Sequence, residues 1–170
     1  MSTWWQRPKR SVKKRLEMES LSREDAAALL LACGIQPTSQ RVGILFVLLT
    51  CGKHPCAEEI LSMVNKRFKK TAMATVYNTL KLFAANGIIR EVVVDKERVF
   101  YDADPTPHPH FYDAATGRLF DIHEEIEVKG IPQPPEGLDV DRIEVVVRLR
   151  TPTSEINHKT KEKMPFAKKR

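Results

Sequence analysis

The stretch MATVYNTLKLFAANGII, residues 73–89, is the part of the sequence that best predicts the fold. Its apolar residues recur at helical spacing and form one stripe: Val76, Leu80 and Phe83. Thr71 is expected to cap this helix, and Gly87 is expected to end it. The opposite, outward face then carries polar side chains: Tyr77, Asn78 and Lys81.

Three shorter helices are predicted ahead of this one, and a hairpin is predicted after it. Ser22 and Gly34 bracket a first helix over about 22–33, and Pro37-Thr38 open a second that ends near Gly52. The segment AEEILSMVNKRF repeats the apolar spacing and predicts the third helix. The runs IIREVVV and RVFYD, joined by residues 95–97, read as two paired strands. This order of elements is that of a winged helix-turn-helix.

A proline-bearing stretch, DADPTPHP, predicts a hinge between this unit and a second one. Beyond it, HPHFYD and GRLFDI read as two strands, and DRIEVVVRLR alternates Ile143, Val145, Val147 and Leu149 on one face. A small antiparallel or mixed sheet results, and a second copy of the chain is the simplest cover for its free edge. We therefore expect a basic arm over 1–20, a DNA-binding domain over 21–104, a dimerisation and sensing domain over 105–150 and a disordered basic tail over 151–170.

The charge of the chain is concentrated at its two ends. The formal net charge is +6, and residues 1–15 carry six basic residues and no acid. Basic runs that flank a folded body are a common way to hold phosphates, although many such runs are only solvated. No stretch has the length and apolarity of a membrane span or a secretory signal, so we expect a cytoplasmic protein with no membrane contact. Three cysteines without a CxxC pair predict neither a disulfide framework nor a thiolate zinc site.

The outward face of the helix over 73–86 is a candidate surface for reading duplex DNA. A recognition helix needs exposed polar side chains and cationic anchors for phosphates beside it. The sequence offers one group of candidates for these contacts: Arg41, Lys70, Thr75, Tyr77, Asn78, Lys81 and Lys96. A solvated surface is the alternative for each residue taken singly, and helix-turn-helix units also occur in protein-interaction modules.

His108 and His110 are candidate ligands for a metal ion or for haem iron. Residues i and i+2 of an extended strand point to the same side, so the two imidazoles can converge on one ligand. Imidazole suits zinc, manganese, iron and haem iron alike. The alternative is a pair of surface histidines without any ligand, because a lone HxH motif is weak.

Three segments together resemble the ferric uptake regulator (Fur) family: GIQPTSQRVGILFVL, KHPCAEEILSMV and MATVYNTLKLFAANGII. The resemblance covers roughly residues 20–150, with ATVYNTL as its most specific part. It implies an α+β fold in which an N-terminal winged helix-turn-helix is followed by a small α/β dimerisation domain. It also implies a homodimeric transcriptional regulator, not an enzyme, that binds a pseudo-palindromic operator in double-stranded DNA.

The same resemblance implies a metal site at the hinge, with four ligands: His54, His108, His110 and Asp121. The acid that the family places at the end of the wing is matched here by Tyr101, with Asp102 and Asp104 nearby. The family's structural zinc site is expected to be absent, because Asp113 and Thr116 stand where it has two cysteines.

The stretch HPHFYDAATGRLFDI, with VFYDAD before it and EVVVRLR after it, resembles the iron response regulator (Irr) branch of this family. That resemblance implies a response to haem at His108 and His110 and control of iron and haem metabolism genes. Regulation by manganese, iron or zinc instead of haem stays open. So do a small metal-dependent hydrolase built on the four ligands and an architectural DNA-binding protein without any ligand.

Overall fold

The structure is a computed structural model that describes residues 21–68, 70–94 and 98–150 of the chain. Four helices come first: α1 (Arg23–Ala32), α2 (Ser39–Thr50), α3 (Ala57–Arg67) and α4 (Met73–Ala85). Five strands follow: β1 (Arg90–Val93), β2 (Val99–Asp102), β3 (His110–Asp113), β4 (Arg118–Asp121) and β5 (Val146–Leu149). The α+β class and the order of helices and hairpin are thus confirmed. Within the described ranges, none of the helices has the length and hydropathy needed to cross a bilayer.

The first two helices begin at capping residues that the sequence predicts. Ser22 accepts a hydrogen bond from the Asp25 backbone N–H, and the Asp25 side chain bonds back to Ser22, which makes a capping box. Thr38 accepts a hydrogen bond from the backbone N–H of Arg41 at the start of α2. Gly34 follows α1 with φ at 72°, a left-handed conformation that favours glycine. Local side-chain chemistry therefore sets these helix ends.

The expected cap of α4 is wrong by one residue. Ala72 is the N-cap, and it makes no side-chain hydrogen bond. Thr71 is buried instead, because the Asn65 side chain of α3 accepts from its backbone N–H at 2.7 Å and donates to its carbonyl at 3.2 Å. A side chain from the preceding helix thus holds the turn between α3 and α4.

The four helices pack around one apolar core. The stripe predicted for α4 is fully buried, with Val76, Leu80 and Phe83 each at 0% exposure. Residues of α1, α2 and α3 pack against it, and Tyr101 of β2 joins the same core. The opposite face of α4 lies at the surface, because the helix packs against the core through its apolar stripe.

The wing is an antiparallel hairpin of β1 and β2. Its register pairs Arg90 with Asp102 and Val93 with Val99. Residues 95–97 at its tip lie outside the described residues, as do the predicted basic arm and basic tail. The hairpin places the last residue of β2 next to the first residue of β1.

Residues 105–150 contain a three-stranded mixed sheet of order β4-β3-β5. Strand β4 pairs antiparallel with β3, whereas β5 pairs parallel with it. No helix occurs between residues 105 and 150, all of which are described, so this part is β-rich instead of the small α/β unit that the family resemblance implies. Prolines and glycines interrupt the segment before β5, and both residue types disfavour a helix: Gly130, Pro132, Pro134, Pro135 and Gly137.

The wing packs directly on this second sheet. Val92, Val94 and Phe100 of the wing form a small core with Tyr112 and Leu119. Val146 of β5 packs against this core, and the Arg148 guanidinium donates to the Val94 carbonyl.

The apolar face predicted for the last strand lies largely at the surface in this chain. The structure buries part of Val146, while Val147 and Leu149 are exposed at 37% and 40%. Strand β5 is an edge strand, and the face that carries Val147 and Leu149 is the one that the sequence predicts to need cover.

Candidate functional site

Five side chains from four separate parts of the chain converge at the base of the wing. They are His54, Asp102, His108, His110 and Asp121, and we call them the histidine–aspartate cluster. One potential ligand atom from each lies within 4.8 Å of all the others. The four ligand positions named in the sequence analysis are thus brought together.

Strand register and one loop contact explain why these residues meet. His110 pairs with Asp121 across β3 and β4, so their side chains are neighbours on one face. His54 lies in the loop between α2 and α3, where the carbonyl of the buried Pro55 accepts from the Tyr101 backbone N–H at 3.0 Å. That bond holds the loop against β2 and places His54 beside the last residue of that strand.

The Nε2 atoms of the three imidazoles all face the two carboxylates. His54 Nε2 lies 2.8 Å from Asp121 Oδ1, and His108 Nε2 lies 3.0 Å from the same oxygen. His108 Nε2 is also 3.2 Å from Asp102 Oδ2. His110 Nε2 lies 3.6 Å from one oxygen of each carboxylate. The arrangement therefore presents three nitrogen and two oxygen donors to one small volume.

Asp102, and not Tyr101, supplies the acid at the end of the wing. The two residues are consecutive in β2, so their side chains point to opposite faces of the hairpin. Tyr101 packs into the helical core, and Asp102 turns to the histidines with only 4% exposure. The shift by one position follows from the hairpin register, which sequence matching alone did not resolve.

Neighbouring backbone groups orient two members of the cluster. The Thr106 carbonyl lies 2.9 Å from His108 Nδ1, and a carbonyl only accepts, so Nδ1 carries the hydrogen and Nε2 is directed at the carboxylates. The Asp104 backbone N–H donates to Asp102 Oδ1 at 2.8 Å. His54 Nδ1 is buried without a hydrogen-bond partner among the described residues.

Carboxylate contacts and burial shift the pKa values of the three histidines in opposite directions. Burial lowers the pKa of His54, but hydrogen bonds to Asp102 and Asp121 outweigh burial and raise it to about 9. Hydrogen bonds to the same carboxylates raise the pKa of His108 to about 10. Burial lowers the pKa of His110, so its ring is neutral at pH 7. The histidines hold the pKa of Asp121, and despite burial that of Asp102, well below the usual range.

The donor set fits a divalent first-row transition metal ion. Imidazole nitrogen and carboxylate oxygen bind zinc, iron and manganese at about 2.1 Å, so opposite donors stand at most about 4.2 Å apart. The observed limit of 4.8 Å therefore requires only a small contraction of the cluster. His110 and Asp102 are buried at 2% and 4% exposure, so the inner side of the cluster is shielded from water, whereas His108 and Asp121 are partly exposed.

The candidate DNA-contacting residues occupy one side of the helical unit. Tyr77, Asn78 and Lys81 are exposed along α4, and Lys70 is exposed just ahead of it. Three of the candidates line one groove of ≈ 280 Å³ between α2 and α4: Arg41, Thr75 and Asn78. Lys96 lies outside the described residues.

Tyr77 makes a contact that the sequence did not predict. Its hydroxyl donates to Glu58 Oε1 at 3.1 Å, and Glu58 belongs to the first turn of α3. The side chain remains 40% exposed, so the ring is accessible while its hydroxyl is held.

The positions that replace the structural zinc cysteines form a hydrogen-bonded turn. Asp113 accepts from the Thr116 hydroxyl at 2.6 Å and from the Ala115 backbone N–H at 2.9 Å. The cysteines Cys33, Cys51 and Cys56 lie elsewhere in the helical unit and are not joined in disulfides.

Comparison with known proteins places these features in a family. The sequence model that describes the ferric uptake regulator family matches residues 32–145 of this chain. A relative in Staphylococcus epidermidis, the peroxide-responsive repressor PerR, is 30% identical over 109 residues, which are 63% of this chain and 73% of the relative.

Solved structures share the same fold. The ferric uptake regulator of Vibrio cholerae superposes with a TM-score of 0.60 at 18% identity, covering 75% of this chain and 100% of that one. A zinc-bound manganese uptake regulator superposes with a TM-score of 0.53 at 26% identity, covering 76% of this chain and 99% of its own.

Proposed function

The chain belongs to the ferric uptake regulator family, and we propose that it is a DNA-binding transcriptional regulator whose operator affinity is controlled by a divalent metal ion at the histidine–aspartate cluster. The relative in Staphylococcus is a repressor, and one similar structure is a zinc-bound manganese uptake regulator. Iron, manganese and zinc are the candidate ions because all three accept imidazole and carboxylate ligands.

One observation carries the proposal: the cluster joins the helical unit, the wing and the second sheet at a single point. His54 comes from the loop before α3, Asp102 from the end of the wing, and the other three members from β3, β4 and the segment ahead of them. We propose residues 21–104 and 105–150 as the two domains and this cluster as their joint. Occupancy of the cluster changes how firmly the helical unit is held against the sheet, and thereby the orientation of α4.

Each member of the cluster has a defined part in holding an ion. The three imidazoles offer Nε2, and Asp102 and Asp121 offer one or both oxygens. A bound divalent ion supplies positive charge to two carboxylates that otherwise rely on protonated histidines. The Thr106 carbonyl keeps the His108 ring in the tautomer that leaves Nε2 free to coordinate.

The DNA contacts follow from the exposed side of α4. We propose that α4 enters the major groove with Tyr77 and Asn78 toward base edges, while Arg41, Lys70, Thr75 and Lys81 contact phosphates or groove edges. Lys96 and the basic arm add contacts in this proposal. A homodimer would place two such helices on the half-sites of a pseudo-palindromic operator.

We favour a metal ion over haem as the ligand of the cluster. Axial ligation of haem needs an imidazole that faces a wide, flat opening, whereas His110 is 2% exposed and lies 3.6 Å from both carboxylates. The two rings of His108 and His110 lie only 4.5 Å apart between centroids, within one polar cluster. Haem response and membership of the Irr branch remain predictions from the sequence.

A binding selection tests the proposed function. Duplexes are selected from a random-sequence pool with the full chain and Mn²⁺, and the affinity of the enriched duplex is measured by gel shift with Mn²⁺ and with a chelator. We expect a pseudo-palindromic sequence to be enriched, and the metal to change its affinity by about fivefold or more, in line with common coupling energies.

Two negative results would have different meanings. If no sequence is enriched and binding does not weaken with salt, DNA recognition is rejected. If a sequence is enriched but its affinity is the same with Mn²⁺ and with the chelator, metal control is rejected and DNA recognition stands. An absorbance titration with haem on the same preparation distinguishes the haem alternative by a Soret shift.

Metal binding should also release protons. The pKa values of His54 and His108 are raised to about 9 and about 10, so both rings are protonated at pH 7 without metal. Coordination needs neutral imidazole, so each ion should displace about two protons at pH 7. Affinity therefore rises from pH 7 to 9 and falls below pH 7. Calorimetric titrations in two buffers of different ionisation enthalpy measure the number of protons released per bound ion. Equal heats in both buffers would contradict the expected proton release.

A further inference from the structure

Arg90 is a permanent cation at the edge of the histidine–aspartate cluster. It is the first residue of β1 and pairs across the wing with Asp102. Its Nη2 atom lies 3.5 Å from Asp102 Oδ2 and donates to the His108 carbonyl at 3.2 Å. The same atom lies 3.5 Å from His110 Nε2. A side chain with 14% exposure thus contacts three of the five cluster members.

The contact with His110 has only one chemically reasonable direction. A guanidinium has N–H donors and no acceptor, and it does not lose its charge in proteins. The His110 Nε2 atom must therefore present its lone pair to Arg90 in this arrangement. That lone pair is the one that a metal ion would use, so Arg90 and an ion exclude each other from it.

The positive charge of Arg90 also opposes binding of a metal ion. A guanidinium that stays within a few ångströms of a divalent cation repels it, and little water screens the pair at this depth. Arg90 and the ion also compete for the negative charge of Asp102. The more of that charge the guanidinium neutralises, the weaker is the attraction of Asp102 for the ion. Arg90 therefore stabilises the metal-free cluster and opposes the metal-bound one.

The contacts that fix the Arg90 guanidinium all involve one of its nitrogen atoms. Its Nε atom is buried with no hydrogen-bond partner among the described residues, whereas Nη2 makes all three contacts named above. A buried unpaired N–H is destabilising, so turning the side chain outward to water recovers part of what the lost contacts cost. The side chain is thus positioned to be displaced.

We propose that Arg90 is a tethered competitor of the metal ion, which occupies the lone pair of His110 and part of the charge of Asp102 until the ion displaces it. The inference rests on the proposed function, since it assigns a positioning residue to the same site. Its consequence is regulatory: Arg90 sets the metal concentration at which the regulator responds, because a group that binds only the metal-free form lowers the apparent affinity.

The test compares Co²⁺ binding by the full chain and by Arg90→Gln, followed by visible absorption. We expect the variant to bind Co²⁺ about tenfold more tightly or better, because one fixed charge near the ion is gone. The absorption spectrum of the bound ion should match that of the wild type, because the ligands are the same. The metal-free variant should melt at a lower temperature than the metal-free wild type.

Arg148→Gln is the matched control. Arg148 also links the wing to the second sheet, through the Val94 carbonyl, and its guanidinium lies 5.5 Å from the Tyr112 ring centroid, with no contact to the cluster. Its Co²⁺ affinity should equal that of the wild type. Arg90→Leu repeats the test without a buried amide in case the glutamine variant does not fold.

Three outcomes would overturn the inference. Unchanged or weaker Co²⁺ binding in both Arg90 variants would show that the guanidinium does not compete. Equal tightening in Arg148→Gln would show that loosening of the wing, and not the charge of Arg90, is responsible. A wild-type chain that binds no Co²⁺ would contradict the proposed function itself, and the inference would fall with it.

Discussion

Replacing Asp102 with asparagine is expected to weaken metal binding by about 100-fold or more, since even residues that only orient a ligand cost 10- to 100-fold. The amide has nearly the same shape, so the change removes charge without opening a cavity. His108 and Arg90 lose the carboxylate at 3.2 and 3.5 Å, and Asp121 alone faces three cationic or polar partners. Removing one member of a buried charge network costs about 3–5 kcal/mol, so the free energy of unfolding of the metal-free chain should fall as well.

Co²⁺ titration and urea unfolding on one preparation measure both effects. Asp104→Asn is the control, since Asp104 lies two residues away and accepts from the Thr106 backbone N–H and hydroxyl instead of facing the cluster. Its metal affinity should stay within about threefold of the wild type. Equal losses in both variants would mean that the segment after β2, and not the Asp102 carboxylate, supports the site.

Replacing Phe83 with alanine is expected to lower the free energy of unfolding by about 3–5 kcal/mol, the usual cost of deleting a buried aromatic side chain. Phe83 is 0% exposed and lies on the inner face of α4, between this helix and the rest of the helical core. Because α4 carries the exposed face with Tyr77 and Asn78, its loosening should also weaken operator binding. Urea unfolding followed by circular dichroism gives the loss of stability.

Lys81→Ala separates stability from recognition on the same helix. Lys81 is exposed two residues from Phe83, so its removal should change the free energy of unfolding by less than about 0.5 kcal/mol. If Lys81 contacts a phosphate, operator affinity should fall and its dependence on salt should become shallower by about one unit of slope. A large loss of stability in Lys81→Ala would contradict the placement of these two side chains on opposite faces.

The helices were predictable because their signals are local. Apolar spacing along α4 placed Val76, Leu80 and Phe83 inward, and the Ser22 and Thr38 caps placed the first two helix starts. The cap of α4 was not predictable in this way, because Asn65 of another helix takes the backbone of Thr71. Propensity and capping rules describe a segment alone, and they do not include a partner that folding brings from elsewhere.

The residues of the candidate site also divide into those that local sequence signals predicted and those that only strand pairing placed. His108 and His110 were found from their spacing, and His54 and Asp121 from the resemblance. Asp102 was named only as a neighbour of Tyr101, and the register of the wing placed it in the cluster and placed Arg90 beside it. A shift of one residue in strand register moves each side chain to the other face of the sheet. The periodicity of the sequence does not specify the register.

The sequence by itself therefore determined the family, the α+β class, the inner and outer faces of α4 and the histidine pair, because the motifs behind each of them are formed by residues a few positions apart. Only the tertiary structure decided that Asp102 and not Tyr101 meets the histidines, that Arg90 stands beside His110, and that Val146 of β5 packs against the core of the wing and second sheet. The physical reason is that these contacts join residues distant along the chain, and their geometry is set by strand pairing and core packing instead of by local preference.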